Sequence, residues 1–79
     1  MTSTGWQKRN GVDAWYMYCI EGSASWRMYV SKRKEDNWDW SCIEWVDGGP
    51  IVAKGFAAGR DMAAKLACKS SGSTEVIND

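Results

Sequence analysis

The sequence predicts an α+β domain: a three- to four-stranded antiparallel β-meander followed by one C-terminal α-helix packed on one face, in the order ββββα. Two observations carry this. Between residues 14 and 47, aromatic and β-branched residues alternate with polar ones at a period of two, and the runs are separated by short Gly-, Ser- or Asp-containing connections. Beyond Gly55 the pattern changes to an Ala-rich stretch with apolar residues at helical spacing.

The first strand is Ala14–Glu21 (AWYMYCIE), an aromatic run closed by Gly22-Ser23. Residues 25–34 (SWRMYVSKRK) form the second and 38–47 (WDWSCIEWVD) the third. Asp47-Gly48-Gly49 is a hairpin signal, because glycine tolerates the positive φ of a tight reversing turn. Residues 51–54 then read as a short fourth strand. Pro50 has no N–H to give to a ladder, which places that strand at an edge. Gly55 closes the sheet region.

Residues 59–69 (GRDMAAKLACK) read as the helix, with Met62, Ala63, Leu66 and Ala67 on its buried stripe and Ala58 at the N-cap. Asp61 near its start and Lys65 and Lys69 near its end complement the helix dipole. Cys68 falls off that stripe and is expected at the surface. Residues 1–11 and 70–79, rich in Ser, Thr and Gly, are expected as flexible segments outside a single 12–69 domain.

If each strand is regular, one sheet face carries Trp15, Met17, Cys19, Trp26, Met28, Val30, Trp38, Trp40 and Cys42. It is nearly all apolar and should receive the helix, whose alanines permit close approach. The other face carries Tyr16, Tyr18, Ile20, Arg27, Tyr29, Arg33, Ile43 and Trp45 among Ser31, Asp39 and Ser41. That face is too polar for a core and too aromatic for a plain solvent surface.

Six tryptophans in 79 residues exceed what a core of this size can bury, since each such ring buries roughly 150–250 Å². Tyr, Trp and Arg are the residue types that anchor protein interfaces. The expected binding residues are therefore Tyr16, Tyr18, Arg27, Tyr29, Arg33, Ile43 and Trp45, and the partner is a protein. The same face could instead be consumed by homodimerisation. Ten basic residues balance ten acidic ones, which argues against a dedicated nucleic-acid domain. Three cysteines at wide spacing and no histidine give no metal-ligand pattern, and no cofactor motif is present. The acidic residues from Glu35 to Asp47 cluster at hairpin ends, where water keeps carboxylates ordinary, so a non-enzymatic protein is expected. With no leader-like apolar run, no stretch long enough for a membrane span and an odd cysteine count, a reducing cytoplasm is the expected location.

The stretch from Trp38 to Lys69 is similar to two known groups. Gly55-Phe56 followed by a helix containing Ala63-Ala64 resembles the three-stranded-sheet-plus-helix domain of AP2 type, found also at the arm-binding end of phage integrases. That resemblance implies a sheet that reads DNA. In size, architecture and composition the whole chain resembles the small phage-encoded anti-CRISPR proteins. This second resemblance implies a stoichiometric inhibitor that occludes a host or defence-system protein.

Overall fold

A computed structural model describes residues 1–78 and shows a small α+β domain with an antiparallel six-stranded sheet and one short C-terminal helix. The strands are β1 (Thr2–Ser3), β2 (Gln7–Lys8), β3 (Ala14–Glu21), β4 (Ala24–Lys34), β5 (Asn37–Val46) and β6 (Gly49–Ala58), followed by α1 (Arg60–Ala67). The four long strands form a simple meander, β3-β4-β5-β6, with β1 and β2 both pairing along the outer edge of β3. The strand count thus exceeds the expected three or four. The two additions come from the N-terminal segment.

The turns sit where the glycines fall. Gly22 and Gly48 both have positive φ, 61° and 104°, at the β3–β4 and β5–β6 reversals. Between β4 and β5 the reversal uses Glu35, the one non-glycine residue with positive φ among those described (50°). A register shift between Lys32 and Lys34 adjoins it.

Alternation sends one side of the sheet inward. Met17 pairs with Met28 and Met28 with Cys42; the two methionines are fully buried, beside Trp15, Cys19, Trp26, Val30 and Trp38. Ala63, Ala64 and Ala67 of α1 close on this layer. Their methyl-sized side chains let the helix axis approach rings and thioethers that already fill the space. The buried stripe is therefore Ala63, Ala64, Ala67 and Cys68, with Leu66 half-buried and Met62 exposed. The expected Met62/Leu66 stripe is rotated: the helix begins at Arg60 with Gly59 (φ 100°) as its N-cap, not at Gly59 with Ala58 as the cap. Cys68 is correspondingly inside, and burial pushes its thiol pKa up to about 12.

Gly55 does not end the sheet. β6 runs on to Ala58, and Gly55 sits opposite Trp40. A Cβ built at Gly55 would lie 3.0 Å from Nε1 of Trp40, so the indole lies across the glycine where a side chain would stand. Glycine here gives room for the ring and does not break the strand.

The packed unit also extends past the expected 12–69 boundaries. Trp6 packs against the core and its Nε1 donates to the Glu75 carbonyl at 3.3 Å. Ser3 Oγ donates to the Glu75 carboxylate at 3.1 Å, and Ile77 is buried. The helix end is closed by Ser71, whose hydroxyl donates to the Cys68 carbonyl at 2.9 Å. The two terminal segments therefore meet each other.

Candidate functional site

The register fixes which side chains share the helix-free side. Tyr16 faces Tyr29, Tyr18 faces Arg27, Arg27 faces Ile43, and Ser25 faces Trp45. All seven residues expected from the sequence to bind a partner (Tyr16, Tyr18, Arg27, Tyr29, Arg33, Ile43 and Trp45) lie on this one face. Arg33 reaches it beside the β4 irregularity, placing Nε 3.6 Å from the Asp39 carboxylate. Among the described residues no helix covers the face, because α1 packs on the opposite side through its alanines.

Ring geometry orders the surface. The Tyr16 and Tyr18 centroids are 5.3 Å apart, tilted by 39°. The Arg27 guanidinium lies 5.5 Å from the Tyr18 ring centre, and that of Arg33 lies 4.4 Å from the Phe56 ring centre. Such stacking holds long side chains in place and lowers the entropy lost when a partner covers them. Burial raises the Tyr29 hydroxyl above its ordinary pKa, the neighbouring Tyr18 reinforces this, and the Arg27 charge pulls the other way. Tyr29 therefore stays a neutral donor at physiological pH.

The sequence reading missed the contribution of β6. Val52 faces Ile43, Lys54 faces Ser41 and Phe56 faces Asp39, all on the same side as Tyr29 and Trp45. Val52 and Phe56 are 60% and 62% exposed, more than Trp45 at 45%. A depression of about 460 Å³ runs between Tyr29, Ser31, Asp39, Lys54 and Phe56. The signal was present: Val52, Lys54 and Phe56 continue the period of two once Gly55 is read as an interior strand residue.

A second cluster lies at one end of the covered side. Trp15 and Trp38 are in ring contact, 5.8 Å between centroids, and Lys8 and Arg60 lie 5.5 and 5.1 Å from the Trp15 ring centre. Lys32, Asp13 and Asp61 join them around an open recess of about 850 Å³. Its positive and negative charges interleave and Arg60 is engaged with Asp61 at 3.2 Å, so it is a polar lid on the buried tryptophans.

Among the described residues no three Cys, Asp or Glu side chains stand close enough to hold a metal ion. Cys19, Cys42 and Cys68 are all buried and unpaired; burial raises the Cys42 thiol too, although Ser70, 3.5 Å from its sulfur, partly opposes the shift. Neither Cys42 nor Cys68 has the electropositive, accessible setting of a reactive thiolate. Among the described residues no helix is long and apolar enough to cross a membrane. No protein-family model, curated protein or solved structure matches the chain.

Proposed function

We propose that the chain is a protein-binding module that acts by covering part of a partner with the helix-free face of its sheet. The observation that supports this is the composition and placement of that face: Tyr18, Trp45, Val52 and Phe56 exposed together, interleaved with Arg27 and Arg33, on four strands that no second layer covers among the described residues. Contiguous exposed apolar surface of this kind, edged by polar groups, marks an interaction surface. Four strands at about 4.8 Å spacing and roughly 30 Å of strand length give about 600 Å² in projection. That is the scale of a standard interface, about 800 Å² of accessible surface per partner.

Occlusion needs no catalytic group, and the face offers none in a tuned environment. The resemblance to small phage-encoded inhibitors makes defence-system proteins of a bacterial host the first partners to test, in the cytoplasm, where buried unpaired thiols remain reduced.

The test is affinity capture from bacterial lysate, with and without nuclease treatment, using wild type and Tyr29→Ala/Trp45→Ala. The captured protein is then purified and its stoichiometry measured. A partner bound one-to-one by wild type and at least tenfold more weakly by the variant, at unchanged fold, supports the reading. Capture that disappears with nuclease treatment transfers the face to DNA, the reading implied by the AP2-type resemblance. Binding that is indifferent to both substitutions refutes the assignment of this face.

A further inference from the structure

The two edges of the sheet are built differently. Along β3 the edge is occupied by β1 and β2, two residues each, with Gly5 at φ 68° between them. Such a short, interrupted edge offers no long ladder to another chain. At the other side β6 is ten residues long, and among the described residues no strand pairs with its outer edge.

Which backbone groups point outward follows from one hydrogen bond. The Gly59 N–H donates to the Asp36 carbonyl at 2.6 Å, one step beyond the Asn37–Ala58 pair. Directly opposed residues in an antiparallel ladder exchange hydrogen bonds at every second position. The β5–β6 register runs without a shift, so Ala57, Gly55, Ala53 and Ile51 bond to β5. The N–H and C=O groups of Val52, Lys54, Phe56 and Ala58 therefore point away from the sheet. Pro50, the position on that parity with no N–H, sits at the strand's start, where a missing donor costs least.

The outward-pointing residues are also those whose side chains lie on the open face: Val52, Lys54 and Phe56. Lys54 carries the only charge on the strand, and among the described residues no acid pairs with it. We propose that the outer edge of β6 is a strand-addition site. Its occupant is an extended segment of a partner protein that bears an acidic residue opposite Lys54 and apolar residues two positions to either side, opposite Val52 and Phe56. Main-chain pairing supplies affinity and the alternate side chains supply selectivity. The pattern is symmetric about Lys54, so it serves either strand direction.

A second copy fits less well. The two-fold register that uses the most of β6 sets Lys54 against Lys54, and like charges directly opposed destabilise a strand pair. The lysine thus blocks self-pairing and selects an acidic partner in one step. The proposal rests on the protein-binding reading above and states where the partner's first strand lies.

The test uses the full chain with the acetylated, amidated peptides TTVTETVTT and TTVTKTVTT, read by amide hydrogen exchange and NMR titration. The acidic peptide should slow exchange at Val52, Lys54 and Phe56, leaving Ala53 and Gly55 unchanged because they are already bonded. It should bind about threefold to tenfold tighter than the lysine peptide, from an attractive pair replaced by a repulsive one. Lys54→Glu should reverse that order. Lys54→Pro, which removes one outward donor and no ladder bond, should abolish binding while the fold is kept.

Three results would overturn the proposal. One is no protection at millimolar peptide, and another is equal binding of the two peptides. The third is protection of the same amides in the free protein together with a dimeric mass, which would assign the edge to a second copy. Peptide protection that persists in Tyr29→Ala/Trp45→Ala, with partner capture lost, separates a failure of the face reading from a failure of the edge proposal.

Discussion

Gly55→Ala is the substitution that most directly interrogates the covered side. Because Gly55 lies in extended strand opposite Trp40, alanine is compatible with the backbone, and its restriction of the unfolded chain alone would stabilise by about 0.4–1 kcal/mol. The new Cβ, however, would stand 3.0–3.1 Å from three atoms of the Trp40 indole, Nε1, Cε2 and Cζ2. The ring is rigid, so relief requires the whole side chain to shift off its rotamer, and overpacking of this kind costs about 1–3 kcal/mol. The clash wins, with a net loss of about 1 kcal/mol. For a domain of this size that is a fall in Tm of about 4–8 °C. Trp40→Thr removes the ring, and in that background the same Gly55→Ala change should raise stability. The coupling in the resulting double-mutant cycle is therefore about 1–3 kcal/mol, measured by thermal and guanidinium unfolding. Equal effects of Gly55→Ala in both backgrounds would refute the placement of the indole over β6. With it would go the claim that β6 continues past Gly55.

Other substitutions test separate parts of the structure. Met17→Ala empties a fully buried site beside Met28 and should cost about 2–5 kcal/mol by chemical denaturation. Ile77→Ala should cost about 1–3 kcal/mol, since its side chain is withdrawn from water; no effect would return the C-terminal segment to the solvent. The Cys68 thiol, with a folded pKa of about 12, should resist iodoacetamide at pH 8 in the native protein and react on denaturation. Its folded pKa lies above the unfolded value near 9, so the unfolded state loses its proton first. Cys68 should therefore lower stability progressively from about pH 9 to 12, a loss absent from Cys68→Ala and checked by the difference between the two pH–stability curves.

The parts legible in sequence were those with a strong local period. Alternation in residues 14–46 placed β3, β4 and β5 and sorted their side chains between faces. A face assignment needs only parity, and no bulge lies between Trp15 and Lys32 to invert it. What failed depended on partners distant in the chain. Gly55 reads locally as a breaker, and only the Trp40 ring lying across it makes a glycine the right residue for a strand interior. The helix phase is not legible locally because Met62 and Leu66 are the larger apolar residues, yet the side chains that enter the core are the small ones, Ala63, Ala64, Ala67 and Cys68. The terminal segments look loose by composition. Their order comes from contacts across 69 to 72 residues, between Trp6 or Ser3 and Glu75, which no local window contains.

The tryptophans sort themselves by the same logic. An eight-residue helix is about 12 Å long, whereas strands of eight to eleven residues extend roughly 26–36 Å. The helix therefore covers less than half the length of the apolar side it packs on. Trp15, Trp26 and Trp38 are buried on that side and Trp40 is partly so, supplying the area that a longer helix would otherwise provide. The excess of tryptophan that first pointed to a sticky surface is thus largely structural. Of the six, only Trp45 belongs to the open face as an exposed ring. The case for binding passes from tryptophan content to what remains on the uncovered side after the core has taken its share: Tyr18, Trp45, Val52 and Phe56, framed by arginines. Truncating those side chains should leave the covered side intact, whereas removing Trp15 or Trp38 should unfold the chain.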